Sequence, residues 1–311
     1  LMYLPLFHAF GLYEGPLMSL ISGARQVLTE MFDPKEALGL IAAEKATIMH
    51  GFDTHFHDIM SRPDCLKTER SSLRTGLLAA GLASSEPIAR RAQKLLCRTM
   101  TGWGMSEVGV GASMSFLDSS EDDRCLASGF PVPSYEFKVI DPATGEELPP
   151  GTPGELCCRG PLVMQGYYKK PEETAKTIDP EGWLHSGDMA TMRDDGCVRF
   201  IGRYKDMLKV GGENVDPAEV EAFLLSHPDV HQAVVVGKPD KRLSEVSVAY
   251  VALKEGVHLE EEELRGYCKG KLASFKIPKH IVFIKEYPMT SSGKVQKFKL
   301  REDAITKLGN E

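Results

Sequence analysis

GRYKDMLKVGGENVDPAEVE, residues 202–221, separates two differently built parts of this chain. Asp216, Pro217 and Glu219 supply an N-cap, a first-turn proline and a capping-box glutamate, so a helix begins there and ends near His227-Pro228. Beyond it, 230–236 and 246–253 read as strands, 259–272 as a helix and 281–284 as a strand. Residues 203–311 are therefore a compact α+β domain, with the boundary at 203–206. Working backwards, 127–202 is punctuated by Gly129, Pro131, Pro133, Gly145, Gly151, Gly154 and Gly160 between short β-rich runs such as 137–140. That texture predicts a small antiparallel barrel. Earlier still, strands at 25–28, 46–49 and 73–80 alternate with a helix opened by Asp33-Pro34 and another over 87–96. Such a rhythm predicts an α/β layer on a parallel sheet.

A chain of 311 residues exceeds the usual size of a single core, which also argues for two or more domains. The net charge of −7 argues against a nucleic-acid partner, and the short basic run 294–301 reads as a solvated face. Seven cysteines with no C-x-x-C pair, two of them adjacent at Cys157 and Cys158, argue against a disulfide framework or a zinc site. They fit a reducing compartment, the cytoplasm or an organelle matrix. His50, His55 and His57 match no H-E-x-x-H spacing and read as a pocket wall or loop. Residues 1–23 are apolar, but Pro5, His8, Glu14 and Pro16 interrupt them, so no transmembrane helix is expected. Nor is there a basic start with a cleavage site.

Three further stretches stand with 202–221 in a fixed order: TGWGMSEVG (101–109), GWLHSGDMA (182–190) and PMTSSGKVQK (288–297). Together the four resemble the adenylate-forming superfamily of acyl-CoA synthetases, luciferases and peptide-synthetase adenylation domains, over residues 2–302. The resemblance implies an α/β fold. Residues 1–202 would be the remainder of the large adenylate-forming domain, with its parallel-sheet layer and small β-barrel. Residues 203–311 would be a mobile α+β C-terminal domain. It also implies a reaction. A carboxylic acid, fatty or aryl and most similarly a medium- or long-chain fatty acid, is joined to AMP from ATP with Mg²⁺ and then passed to CoA.

The same resemblance implies residue roles. Trp103, where the family has tyrosine, would lie against the adenine beside Gly104. Ser106, where the family has threonine, would bond the α-phosphate, and Glu107 would hold Mg²⁺, a hard ion suited to oxygen ligands. Gly81 and Leu82 would edge the adenine, although Leu82 replaces the family's proline. Asp188 would accept both ribose hydroxyls, and Arg203 would add a ribose or phosphate contact. Lys294, on a Ser-Ser-Gly turn, would bridge the acid and the α-phosphate. A rotation about Lys205 would then replace it with Lys209 and the glycines Gly211 and Gly212, which leave a channel for the pantetheine arm. His8, Met49, Gly51 and Phe52 would line the acyl pocket.

The family's Ser/Thr/Gly-rich phosphate loop has no counterpart in these 311 residues, and the chain opens at Leu1 on a buried-looking segment. The sequence thus reads as the C-terminal part of a longer ligase. Two alternatives stay open: a peptide-synthetase-type adenylation domain, or a non-catalytic module that holds AMP or acyl-adenylate. Exposed apolar surface around 1–30 would favour self-association. On this reading the 311-residue chain shows negligible ATP–pyrophosphate exchange and binds AMP or an acyl-adenylate mimic in preference to ATP. Calorimetry with the three ligands at fixed magnesium checks this, and robust turnover contradicts it.

Overall fold

Asp33 opens the first long helix of the computed structural model, which describes residues 1–79, 82–290 and 295–309. Its carboxylate accepts the Glu36 amide at 2.7 Å, Pro34 occupies the first turn, and the helix runs Pro34–Glu44. Beneath it lies a three-stranded parallel sheet, β1 (Gly51–Phe52), β2 (Thr75–Ala79) and β3 (Arg98–Met100), in the order β1-β2-β3. The helices Asp53–Ser61 and Glu86–Leu95 follow β1 and β2. Leu38, Ile41, Met49, Phe56, Ile59 and Leu78 form the centre of this core. The strands expected at 25–28 and 46–49 are only isolated parallel bridges, Met2↔Leu28 and Ile48↔Thr75.

The Gly/Pro-rich region builds two antiparallel sheets. One has the order β4-β5-β6, with β4 (Gly102–Trp103), β5 (Ser113–Met114) and β6 (Phe130–Pro131). The other has β7 (Glu136–Ile140), β8 (Gly154–Arg159), β9 (Leu184–Met192) and β10 (Val198–Arg203), in the order β10-β9-β8-β7. The expected barrel is corrected here: among the described residues these sheets are open. Closure requires a consistent tilt and stagger around enough strands; β4, β5 and β6 have only two residues each, and the longer strands β7–β10 number only four. Leu156, Cys158, Leu184 and Val198 pack the second sheet against Trp103 and Tyr135.

The chain divides into two compact units, Leu1–Gly81 with Ser85–Ile201, and Leu82–Ser84 with Gly202–Glu311. In the second, β11 (Leu208–Val210) and β12 (Glu213–Val215) form a hairpin. They join β13 (Val230–Asp240), β14 (Ser244–Leu253) and β15 (His280–Phe283) in one sheet. The central stretches of the β13–β14 hairpin, 233–236 and 248–253, are continuously apolar because both faces are covered. Val235, Ala249 and Val251 meet one core with Leu224 and Leu264, from the helices Pro217–Leu225 and Glu261–Cys268. Val234, Val236, Val248 and Tyr250 meet the other, with Leu300 and Ala304 of the helix Lys297–Leu308. Each buried Val or Leu contributes about 1.5–3 kcal/mol. Asp216 caps its helix as the sequence predicts, through the Ala218 amide at 2.9 Å. Glu219, read as the capping-box partner, instead holds Lys276 Nζ with both oxygens at 2.7 Å.

Among the described residues no helix is long and apolar enough to cross a membrane. Phe7, Leu20 and Ile21 are exposed at 76%, 79% and 80%, which is where the sequence suggested apolar surface.

Two histidines of the parallel layer are held neutral by burial. His50 Nδ1 accepts the Leu77 amide at 3.2 Å and His55 Nδ1 accepts the Phe52 amide at 3.0 Å. Desolvation lowers both to about 4 from the ordinary 6.5, with the chain's amino terminus adding to the shift at His50. Between pH 6.5 and 4 the unfolded chain therefore binds protons that the folded chain refuses, so these two groups cost stability as pH falls through that window. Asp53 works in the opposite sense, since burial raises its carboxyl above the ordinary 3.8. Thermal unfolding should show a midpoint that falls between pH 6.5 and 4. The fall should be shallower in His50→Gln and His55→Gln than in the wild type, and parallel profiles for all three chains would contradict the assignment.

Candidate active site

The loop TGWGMSEVG is folded back on itself by close backbone approach. A Cβ at Gly104 would lie 1.2 Å from the Val110 carbonyl oxygen, so only glycine fits there. Val110 itself holds φ +86°, beside Gly109 at +74°. A β-branched residue in that region is a true outlier, of the kind that accumulates at functional sites. Buried serines satisfy the backbone of this crossing. Ser113 Oγ accepts the Trp103 amide at 3.1 Å and donates to the Ser128 carbonyl at 2.5 Å, while Ser115 Oγ accepts the Thr101 amide at 3.0 Å.

Trp103 is 6% exposed and Asp188 4%. The indole Nε1 donates to Asp188 Oδ2 at 2.8 Å, across 85 positions of sequence. Phe137 packs edge-on against the indole, with ring centroids 5.6 Å apart. Asp188 lies within β9, where the Ser186 hydroxyl accepts its amide at 3.0 Å and donates to the Leu156 carbonyl at 2.5 Å. Glu155 on β8 accepts the Gly187 amide at 2.9 Å. The HSGD segment is thus pinned from both sides before Asp188.

Ser106 and Glu107 sit on a single 3-10 turn, Ser106–Val108, with Ser106 exposed and Glu107 half-buried. Glu107 Oε1 accepts the Tyr167 hydroxyl at 2.9 Å, and its carbonyl accepts the Met164 amide at 2.7 Å. Burial and this bond to Glu107 push the Tyr167 phenol up. Tyr167 is a site residue that sequence reasoning missed. The contact spans 60 positions, and the only local signal was the aromatic pair in QGYYKK. Carboxylate and hydroxyl oxygens are the donors Mg²⁺ takes, usually one or two carboxylates completed by substrate phosphates. The Glu107 carboxylate fits that ion.

His8 caps the short helix Ala9–Leu12 by accepting the Phe10 amide at 3.2 Å, and its ring meets Phe52 edge-on at 5.9 Å. Phe10 lies 5.5 Å from Phe52. A Cβ at Gly51 would sit 2.7 Å from the Tyr3 hydroxyl. Met49 is wholly buried in the core. Leu82 is half-buried in the bend before Ala83–Ser85; Gly81 lies outside the described residues.

In the second unit, Arg203 ends β10 and is exposed, and Lys205 is exposed on the 3-10 turn Tyr204–Asp206. Lys209 is exposed on β11, its amide donating to Glu245 at 3.1 Å. Gly211 (φ +61°) and Gly212 (φ +91°) make the two-residue turn of the β11–β12 hairpin, where left-handed backbone at both positions favours glycine. Gly211 edges a cleft of about 800 Å³, lined also by Arg242, Leu243, Phe275, Ile277 and Lys279. Lys279 Nζ lies 3.0 Å from Asp240, whose carboxyl is held well below the usual range by the Leu243 amide first and by Lys279 next. Lys294 lies outside the described residues.

Residues 1–168 match the family described as AMP-binding enzyme, and 219–294 match the AMP-binding enzyme C-terminal domain. The chain belongs to the AMP-binding enzyme family. The rat medium-chain acyl-CoA ligase ACSF2, mitochondrial, is 40% identical over 300 residues, which are 96% of this chain and 49% of that protein. Its human counterpart is 38% identical, with the same two shares. The chain therefore spans about half the length of these curated relatives. Among solved structures, ATP-bound MatB from Rhodopseudomonas palustris superposes with a TM-score of 0.86 at 29% identity, covering 97% of this chain and 59% of MatB. The Bacillus subtilis o-succinylbenzoate CoA synthetase MenE, in complex with AMP, gives 0.80 at 30%, covering 96% and 60%.

The Trp103–Asp188 bond carries a stability prediction. A hydrogen bond to a charged group contributes about 1.5–3 kcal/mol. Trp103→Phe keeps the ring but removes the donor, and should lower unfolding stability by about that amount in urea titration. An unchanged midpoint and slope would show that the bond contributes nothing.

Proposed function

We propose that this chain carries the nucleotide, acyl and CoA determinants of an AMP-forming acid–CoA ligase for medium- or long-chain fatty acids. The observation that carries the reading is the 2.8 Å bond between Trp103 and Asp188. It joins an aromatic face and a carboxylate, the two groups an adenosine needs, from motifs far apart in sequence. The family match supports it, as do relatives named medium-chain acyl-CoA ligase. The His8, Phe10 and Phe52 cluster supports an apolar acid. Seven buried free cysteines support a reducing compartment, cytoplasm or organelle matrix.

The chemistry follows from charge. Carboxylate and triphosphate repel one another, so the site must neutralise and align them. Asp188 Oδ2 already accepts the Trp103 indole, and the acceptor sites left on the carboxylate would take the two ribose hydroxyls. Arg203 adds a fixed fork of donors on the same nucleotide. Ser106 bonds the α-phosphate. Glu107, anchored by Tyr167, holds Mg²⁺, which supplies neutralising charge when bound. Lys294 brings its ammonium to the acid and the α-phosphate. In the thioester step Lys209 takes its place, through a turn of the small domain about Lys205. Gly211 and Gly212 then leave room for the pantetheine arm of CoA, and the cations of the neighbouring cleft suit its phosphates.

This reading separates two half-reactions. In the protein at its natural length, Lys294→Ala should lower acid-dependent pyrophosphate exchange by on the order of 10²–10³-fold, the usual effect of removing one transition-state donor. It should spare thioester formation from preformed acyl-adenylate. Gly211→Val, strained at φ +61°, should do the reverse. Equal losses in both half-reactions for either variant would refute the division of labour.

A further inference from the structure

We propose that Glu155, Cys157 and His185 form a binding site for a thiophilic divalent cation, zinc in the first instance. One ligand atom from each lies within 4.8 Å of the other two. Cys157 and His185 stand opposite one another across β8 and β9, with Sγ 3.6 Å from Nδ1. Glu155, two residues before Cys157 and beside a β-bulge, brings Oε2 to 3.1 Å from the same nitrogen. Tetrahedral zinc, with bonds of about 2.3 Å to sulfur and about 2.0–2.1 Å to nitrogen and oxygen, requires separations of about 3.5 Å for S···N and about 3.3 Å for N···O. The S···N and N···O distances meet that geometry within a few tenths of an ångström, and the sulfur and the Glu155 oxygen lie within 4.8 Å of each other.

The surroundings are those of a supported ligand set. His185 Nε2 faces Asp179 Oδ2 at 3.7 Å, and Asp179 Oδ1 accepts the Trp183 amide at 2.8 Å. A carboxylate on the far ring nitrogen is the usual means of orienting a metal-binding histidine. A proton shared between Nδ1 and Glu155 Oε2 holds that 3.1 Å contact in the metal-free chain, and a cation bound there would take its place. Glu155 is itself held, because Oε1 accepts the Gly187 amide. His185 is 30% exposed in its side chain, which leaves an entry path and room for a water as fourth ligand.

Two effects oppose capture. Burial pushes the Cys157 thiol up to about 12, and Glu155 adds to this. Lys138, across β7 and β8 from Cys157, carries a like charge to the metal. A bound divalent cation reverses the first, since a coordinating thiol is deprotonated outright. The second is blunted because Lys138 Nζ sits over the Trp183 ring at 4.3 Å. Arg159 also lies over that ring, at 4.7 Å, while paired with Glu136 at 2.9 Å.

The sequence argued against zinc because no paired-cysteine spacing exists. The geometry answers that one cysteine suffices when the strand opposite it supplies a histidine.

The test is titration of the reduced full chain with Co²⁺, then displacement by Zn²⁺. One equivalent should bind with a sulfur-to-cobalt charge-transfer band in the near ultraviolet. Cys157→Ser and His185→Asn should each weaken binding at least about tenfold. Cys158→Ala, whose side chain packs in the core of the second antiparallel sheet, should leave it unchanged. X-ray absorption of the zinc-loaded wild type provides a reading that needs no variant, and should show one sulfur among nitrogen and oxygen ligands. Absence of the thiolate band, an all-nitrogen-and-oxygen shell, or equal loss in Cys158→Ala would overturn the proposal.

Discussion

A buried carboxylate governs the architecture of the first unit. Asp188 is 4% exposed, and an ionised group so placed costs several kcal/mol unless it is bonded. The Trp103 indole supplies a bond, and to do so the TGWGMSEVG loop must reach the interior of the second antiparallel sheet. That reach explains features that look unrelated along the sequence. Gly104 must lack a Cβ so that Val110 can close the loop. Ser113 and Ser115 must be buried to satisfy the crossing backbone. Phe137 must stand beside the indole to fill the space.

The strand pair β8–β9 extends this constraint. A bulge between Glu155 and Cys157 shifts the register just where the HSGD turn begins. Bulges re-aim side chains, and they concentrate beside functional sites. Here the bulge sits where Glu155 takes both the Gly187 amide and the His185 ring, while the Ser186 hydroxyl ties the turn to Leu156. Gly187 holds φ +68°, the left-handed geometry that lets strand β9 turn within its own length. The position of Asp188 is therefore set by its neighbours on β8 as much as by its own strand.

What the sequence made legible was local. Asp33 and Asp216 were readable as caps because their partners lie two or three residues away. The helix after β2 and the strands of the long β13–β14 hairpin were readable from runs of apolar residues, whereas the helix Asp53–Ser61, whose His55 and His57 read as a pocket wall or loop, was not. Contacts across tens of positions were not. Beyond the aromatic pair it belongs to, Tyr167 gave no sign that it would anchor Glu107, and Glu219 obeyed a cap pattern yet bonded Lys276, because a charge brought near by folding outcompetes a marginal local bond. The barrel expected from turn spacing failed for a related reason: glycines and prolines mark where strands end but not which strands pair. Cys157 and Cys158 show the limit most sharply. Adjacent in sequence, they point to opposite faces, one into the core and one at His185.

The second unit answers a different demand. Its exposed chemistry, Lys209 and the Gly211-Gly212 turn, rests on three short edge residues on each side of a hairpin that is marginal by itself. Rigidity has to come from what that hairpin joins. The β13–β14 sheet is packed on both faces, and β11 meets β14 at Val210. The Gly211 amide adds a 2.8 Å bond to the Leu243 carbonyl in the connection between the long strands. A glycine turn chosen for its lack of side chains would otherwise be the loosest point of the unit. Tied to that connection, it presents bare backbone without losing position, as the pantetheine channel proposed above would require.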